Sequence, residues 1–468
     1  MRQIIRGTLT ALFVWTGAAQ AETLADALAT GYESSGLIEQ NRAALRAADE
    51  DVAQAVATLR PVINWQTEIQ RQFFYGKTQS LFGGNSGPDL SVTDSLTLGL
   101  VSSLTLFDAG ARQFRLEAQK ETVLATRESL RDVERQVLLR IVSAYQEVQR
   151  SRSFVELRQN NVRVIGEELR AAQDRFEVGE VTRTDVALAE AQLASARSEL
   201  VAEQGNLATA IEEFRAAVGR APGTLSPAPA ATIPGSVDEA RAIAQRTHPA
   251  LLQAQHQVAA FEIAISATRA ATRPTVSLSA GAQVSSDLDS PDADLGANVG
   301  ISASGPIYQG GALASQVRQS RAQRDSARGQ LIETARTISQ NVGSAYATLD
   351  VARASLTAFR EQVRAAEIAF EGVREEATLG ARTTLDVLDA EQDLLDARAN
   401  LVNAQINETL ATYQILSAIG LLNVQNLGLN VQTYDPSAYY NLVDDAPSAS
   451  SEQGRALDRV LEAIGAGN

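Results

Sequence analysis

Four carboxylates, Asp386, Asp389, Asp393 and Asp396, recur at i, i+3, i+7 and i+10, the spacing that lines one face of a helix. The ordinary use of such a stripe is a solvated surface. Repeated around a symmetric assembly, it would instead set rings of carboxylates at one end of a tunnel, where they select cations and narrow the passage. Asp386 has a simpler use as well. Thr383-x-x-Asp386, like Thr182-x-x-Asp185, has the spacing of a capping box, with an acid in the positive first turn of a helix. Asp389 lies one turn further in, where capping does not explain it.

Other chemistry is thinly supplied. His248 and His256, the only histidines, stand eight residues apart on one helical stretch without a clear third ligand, so structural roles are expected and no metal site. Asp287, Asp289, Asp292 and Asp294 crowd one loop but lack the glycine and terminal glutamate of a calcium-binding EF-hand, and an exposed polar loop is the expectation. With no cysteine there is no thiol nucleophile, thiolate metal site or disulfide, and no residue for an acylated N-terminal anchor. No nucleophile–base pair or phosphate-binding glycine loop stands out. No catalytic residue or cofactor is assigned, and an enzyme is not expected.

The elements that would hold these residues come in two copies. Phe107 and Tyr308, Gly110 and Gly311, Tyr145 and Tyr346, Gly179 and Gly380, Asp185 and Asp386, Arg197 and Arg398, and Gly219 and Gly420 are each 201 residues apart. A register held over that length means one structural unit present twice. Residues 1–21 read as a secretory signal peptide, with Arg2 and Arg6, an apolar run over Leu9–Ala19 and Ala19-Gln20-Ala21 before Glu22. The first repeat then covers 22–220 and the second 236–420, joined by a Pro/Ala-rich linker at 221–235 and followed by a C-terminal segment at 421–468. Beyond Asp444 the composition predicts a mobile tail with a short helix near Arg455–Ile464. Without Arg2 and Arg6 the formal charge of −15 becomes −17, which argues against a nucleic-acid partner.

Each half reads helix, two strands, very long helix, tight turn, shorter helix. The first helical pattern runs from Thr23 to Leu59 and stops before Pro61. Strict alternation follows in a hairpin at 61–106, with Ile63, Trp65, Ile69, Phe73 and Tyr75 on one face, then Leu96, Leu98, Leu100, Leu104 and Leu106 beyond a glycine-rich loop at Gly83–Gly87. A second hairpin at 274–305 alternates Val276, Leu278, Ala280, Ala282 and Val284, then Leu295, Ala297, Val299, Ile301 and Ala303. Such strands fit an outer-membrane barrel, and equally a soluble sheet with one face on a core. Four strands cannot enclose a pore, so a barrel would need several chains. Helical pattern then runs over 110–178 and 311–379, about 100 Å each, far beyond an ordinary domain helix. Poor in large apolar residues, these helices would have to pair along their length as coiled coils do. Each ends at a glycine suited to a left-handed cap, Gly179 or Gly380.

At these turns the chain resembles the TolC family of trimeric outer-membrane channel-tunnels, in particular the branch serving type I secretion. Leu379-Gly-Ala-Arg-Thr-Thr-Leu-Asp-Val-Leu-Asp-Ala390 is similar to that family's second tip hairpin, and Val178-Gly-Glu-Val-Thr-Arg-Thr-Asp-Val186 to its first. Leu24-Ala-Asp-Ala-Leu28, Leu106-Phe-Asp-Ala-Gly110 and Tyr434-Asp-Pro-Ser-Ala-Tyr-Tyr440 agree, so the resemblance covers roughly 22–443. It implies a mixed α and β fold with internal duplication: a homotrimer whose four strands per chain form a twelve-stranded barrel in outer-membrane lipid, continued by a long antiparallel α-helical tunnel in the periplasm. It further implies a periplasmic adaptor and an inner-membrane transporter of the ABC or RND type as partners. By the same resemblance Asp386 and Asp389 ring the closed aperture, Arg382 holds it shut through Thr184 and Asp185, and Val178, Gly179, Leu379 and Gly380 dock the adaptor. Ala377 departs from the pattern, standing where a family gating tyrosine is found. Export of protein or of small molecules is the expected function. The rival readings are a soluble periplasmic coiled-coil scaffold, which would not partition with the outer membrane, and a general porin, which would conduct without partners.

Overall fold

The computed structural model describes residues 21–76, 88–288 and 292–463. The signal-peptide reading up to Gln20, the Gly83–Gly87 loop and Asp289 lie outside the described residues. Four strands form one antiparallel sheet in the order β1 (Val62–Gly76), β2 (Asp89–Phe107), β3 (Thr275–Asp287) and β4 (Ala293–Ser304). Its register puts Trp65 opposite Leu100, Leu100 opposite Ala282 and Ala282 opposite Ala297, so the alternation in sequence becomes one continuous apolar face. Trp65, Ile69, Leu295 and Val299 on that face are exposed in the single chain. One charged pair interrupts it: Arg71 grips Asp94 directly opposite through two hydrogen bonds of 2.6 and 2.5 Å. No helix among the described residues is long and apolar enough to cross a membrane.

The pattern from Thr23 to Leu59 is two helices, not one: α1 (Leu24–Ser34) and α2 (Gly36–Ala57). Consecutive hydroxyls cause the break. Ser35 leaves helical geometry to cap α2 through Ile38 N (3.4 Å), and Ser34 Oγ donates to Val218 O at 2.9 Å. The second half breaks at the matching place, between α5 (Val237–Thr247) and α6 (Pro249–Ala270), where Pro249 suits a first helical turn. Thr247 Oγ1 donates to Ile419 O at 3.0 Å, so both breaks are tied by a hydroxyl to the end of a distant helix.

Those distant helices complete the two hairpins. α3 (Ala111–Glu177) and α7 (Ala312–Thr378) have 67 residues each and return as α4 (Arg183–Val218) and α8 (Thr384–Ala418). Gly179 (φ +81°) and Gly380 (φ +77°) take the left-handed turn. α3 packs against α2 and α6 over one part of its length and against α4 and α8 over another, while α7 packs against α6 and α8. The core sits midway, around Tyr145, Phe214, Ile141, Val342 and Ile415. There the linker is strapped down. The Tyr145 hydroxyl lies 2.6 Å from Ser226 O and 2.9 Å from Glu22 O, its repeat partner Tyr346 donates to Pro234 O (2.7 Å), and Tyr413 to Pro229 O (3.1 Å).

The C-terminal segment forms α9 (Val424–Leu427), α10 (Pro436–Val443) and α11 (Glu452–Ala463). Where the composition predicts a mobile tail, the described part packs: Leu457 and Leu461 of α11 lie against Val443, Tyr439 and Ala53 of α2. Arg60, just ahead of β1, donates to the carbonyls of Asp445 (2.6 Å) and Ala446 (3.0 Å).

Candidate functional site

The two tip turns are built by the same local rules and carry different chemistry. Thr182 and Thr383 each close a full capping box. Asp185 Oδ2 accepts from Thr182 N and Oγ1 at 2.8 Å, and Asp386 Oδ2 accepts from Thr383 N and Oγ1 at 2.8 Å. These hydrogen bonds hold both carboxyls below the usual aspartate range, with Arg175 and Arg382 as smaller influences. α8 then divides cleanly. Thr384, Val387, Leu388, Glu391, Leu394 and Leu395 are buried, while Asp389, Asp393 and Asp396 stand exposed and Asp386 half-buried. The acidic stripe is therefore a free face of a packed helix. On α4 the residue 201 positions before Asp389 is Leu188, so only one tip carries the stripe.

Arg382 does not meet Thr184 or Asp185 within one chain. Its Nε donates to Glu376 Oε2 at 2.8 Å, in the last turns of α7, and both side chains are exposed. Asp185 is committed to its own cap, and Thr184 is exposed on α4. Glu376 was legible only as an acid six residues before Arg382. Ala377 is buried with Phe370, Val387 and Leu394, and its carbonyl receives Arg175 Nη1 of α3 at 3.4 Å. The small side chain thus lets α7 close on α8 where a tyrosine ring would have to turn away. At the apices Val178 and Leu379 are 71% and 81% exposed, and nothing lies within 4 Å of where a Cβ on Gly179 or Gly380 would be. Two bare apolar residues at the ends of two turns suit a docking surface.

Sequence reasoning passed over a polar seam between the hairpins. Asn161 Nδ2 of α3 donates to Glu391 Oε1 of α8 at 3.3 Å, and Arg374 of α7 lies 3.3 Å from Glu168 Oε1 of α3. Burial pushes the Glu391 carboxyl up, partly offset by the Asn161 hydrogen bond. Both acids sit at helix positions that periodicity marks as inward, which was the available signal.

The histidines have structural partners. His248 caps α6, its Nδ1 accepting from Ala250 N at 3.2 Å, and burial, with Arg135 nearby, lowers its pKa to about 4. His256 Nδ1 lies 2.8 Å from Glu121 Oε2. No group of three His, Asp or Glu disposed to hold a metal occurs among the described residues. Of the loop acids, Asp287 ends β3 and Asp294 lies in β4 opposite Ser285.

Known proteins share this architecture. The sequence profile of the outer membrane efflux protein family matches twice, over residues 32–220 and 241–421, once in each half. The outer membrane efflux protein BepC of Brucella suis biovar 1 (strain 1330) is 36% identical over 436 residues, covering 92% of this chain and 93% of BepC. The outer membrane protein TolC of Escherichia coli (strain K12) is 26% identical over 428 residues, 87% of this chain and 84% of its own. Among solved structures, the outer membrane protein VceC of Vibrio cholerae superposes with a TM-score of 0.72 at 21% identity, covering 85% of this chain and 96% of VceC.

Proposed function

We propose a function from one premise: this chain belongs to the outer membrane efflux protein family. It is an outer-membrane export channel, with its sheet in the membrane and its long helices extending into the periplasm. The observation that carries the rest is a four-stranded sheet, apolar on an uncovered face and unpaired at both β1 and β4, joined to helices about 100 Å long that end in one acidic tip. An uncovered apolar face beside two open edges is satisfied by lipid and by further copies of the same sheet. Three copies close a twelve-stranded barrel and continue it as a helical tunnel. The bare tips at Val178-Gly179 and Leu379-Gly380 then meet a periplasmic adaptor, which couples the tunnel to an inner-membrane transporter of the ABC or RND type.

In that trimer the Asp386 and Asp389 side chains converge at the inner tip as two carboxylate rings. Asp386→Asn with Asp389→Asn is expected to lower the cation preference of the reconstituted channel several-fold in planar bilayers while the trimer persists on gel filtration. Unchanged selectivity would remove the two residues from the aperture. The latch follows the same geometry. Arg382 is held at Glu376 within its own chain, its latch partners in the trimer are proposed to be Thr184 and Asp185 of the next copy, and Arg382→Ala is expected to raise resting conductance. Equal conductance in variant and parent counts against the latch.

The exported cargo is protein by way of type I secretion on the resemblance of the tip hairpins. The name of BepC, an efflux protein, favours small-molecule efflux as the second reading. A deletion strain decides between them: loss of a secreted protein supports the first, and hypersensitivity to dyes and detergents with intact secretion supports the second.

A further inference from the structure

We propose that Glu391, set beside Glu168, acts as a proton-operated clasp between the two tip hairpins, packed while its carboxyl holds a proton and loosened when it ionises. Asn161, Ile165, Glu168 and Ala172 follow one another at i, i+4, i+7 and i+11 on α3, and all four are buried. Leu388, Glu391 and Leu395 are their counterparts on α8, and Ile165 and Leu388 belong to one apolar cluster with Ala189 and Leu193 of α4. Into this seam the chain places two acids, 7% and 5% exposed.

Glu391 lacks the partners that a buried carboxylate requires. Glu391 receives one hydrogen bond, from a neutral amide, and Glu168 faces one guanidinium whose own side chain is half-exposed. The other charges near Glu391 are already engaged. Arg163 of α3 holds Glu167 at 2.9 Å, and Arg398 of α8 holds Glu367 of α7 at 2.8 Å. The acids also act on each other, since Glu168 disfavours ionisation of Glu391. The repeat sharpens the assignment. The residues 201 positions away are Ala369 for Glu168 and Glu190 for Glu391, and Glu190 is exposed, so the pair exists at one seam only.

The direction follows from linkage. Burial favours the neutral carboxyl, so the packed seam binds a proton more tightly than an opened one. Packing is fully favoured below the ordinary glutamate range and is lost as pH rises through the raised value. The clasp rests on the export-channel reading in one respect only: loosening the seam is what frees the second hairpin to dilate the tip.

Hydrogen exchange of the full-length protein in lipid nanodiscs, corrected for intrinsic rates, tests the clasp at pH 4.5 and 7.5. Amides of α8 over residues 384–398 are expected to lose protection several-fold between the two pH values. Glu391→Gln should abolish that difference and hold the seam at its acid-side protection, and Glu168→Gln should reduce it. Equal protection of the parent at both pH values, or an undiminished difference in both variants, overturns the proposal. Conductance of the same preparations separates the two readings. A pH-dependent seam with pH-independent conductance leaves the clasp standing and removes its link to gating.

Discussion

Replacing Gly420 with alanine is expected to cost about 2–5 kcal/mol and to prevent stable assembly. Two penalties add. Gly420 has φ +77°, where an L side chain costs about 1–2 kcal/mol. The added Cβ would stand 2.7 Å from His248 Cα, 3.0 Å from Pro249 Cδ and 3.1 Å from Thr247 O. These atoms are backbone and a proline ring, which cannot turn aside, and overpacking of that kind costs about 1–3 kcal/mol. The repeat provides internal controls. At Gly219 the neighbour is the Ser34 side chain, and at Gly380 nothing lies within 4 Å, although both have positive φ. Thermal denaturation of the three alanine variants should therefore rank Gly420 well above Gly219 and Gly219 above Gly380. Equal losses would show that backbone conformation alone matters and that the α5–α6 joint is not tightly packed.

His248→Asn is expected to make the protein more acid-stable by about 3 kcal/mol at pH 4, without loss at neutral pH. Buried His248 titrates at about 4 in the fold, against about 6.5 in an unfolded chain. The unfolded state therefore binds the proton first, and stability is lost as pH falls from about 6.5 toward 4. Asparagine keeps the side-chain acceptor that caps α6 and removes the titration. Asp49 opposes this loss. It is fully buried on α2, neither oxygen has a hydrogen-bond partner, and burial raises its pKa to about 6 despite Arg127 nearby. Its ionisation costs stability as pH rises from about 3.8 to 6, so between pH 4 and 6 the two groups offset each other in the parent. Helical circular dichroism on heating, repeated across that range, should show a nearly level parent and a variant that gains stability toward acid. A variant as acid-sensitive as the parent would mean that His248 is solvated.

Much of the fold was legible because its determinants are local. The strand faces follow from alternation of the type Ile63, Trp65, and the tips from Gly179-x-x-Thr182 and Gly380-x-x-Thr383, where a left-handed turn and a capping box leave the backbone little choice. What escaped depends on partners remote in sequence. The split at Ser35 is fixed by Ser34 reaching Val218, and the order of the C-terminal segment by Arg60 reaching Asp445. Neither contact leaves a periodic trace. The acidic stripe was readable as a stripe, whereas the engagement of Arg382 with Glu376 needed the turn's geometry, and the Glu168–Glu391 seam needed the crossing of two helices. Asp389 against Leu188 remains the clearest sign in sequence that duplicated halves have diverged at the tip.

The clasp at Arg60 also sets an order of events during biogenesis. Arg60 and Asp445 are 385 residues apart, so the footing of the first strand waits until synthesis has passed Asp445. Closing so long a loop is entropically slow, and until it closes the first hairpin lacks its anchor to α10 and α11. A chain released early leaves that footing open, with its apolar strands already made. The segment at Asp445 and Ala446 thus couples the first strand to synthesis of the second half, since no fragment ending before it can make the contact.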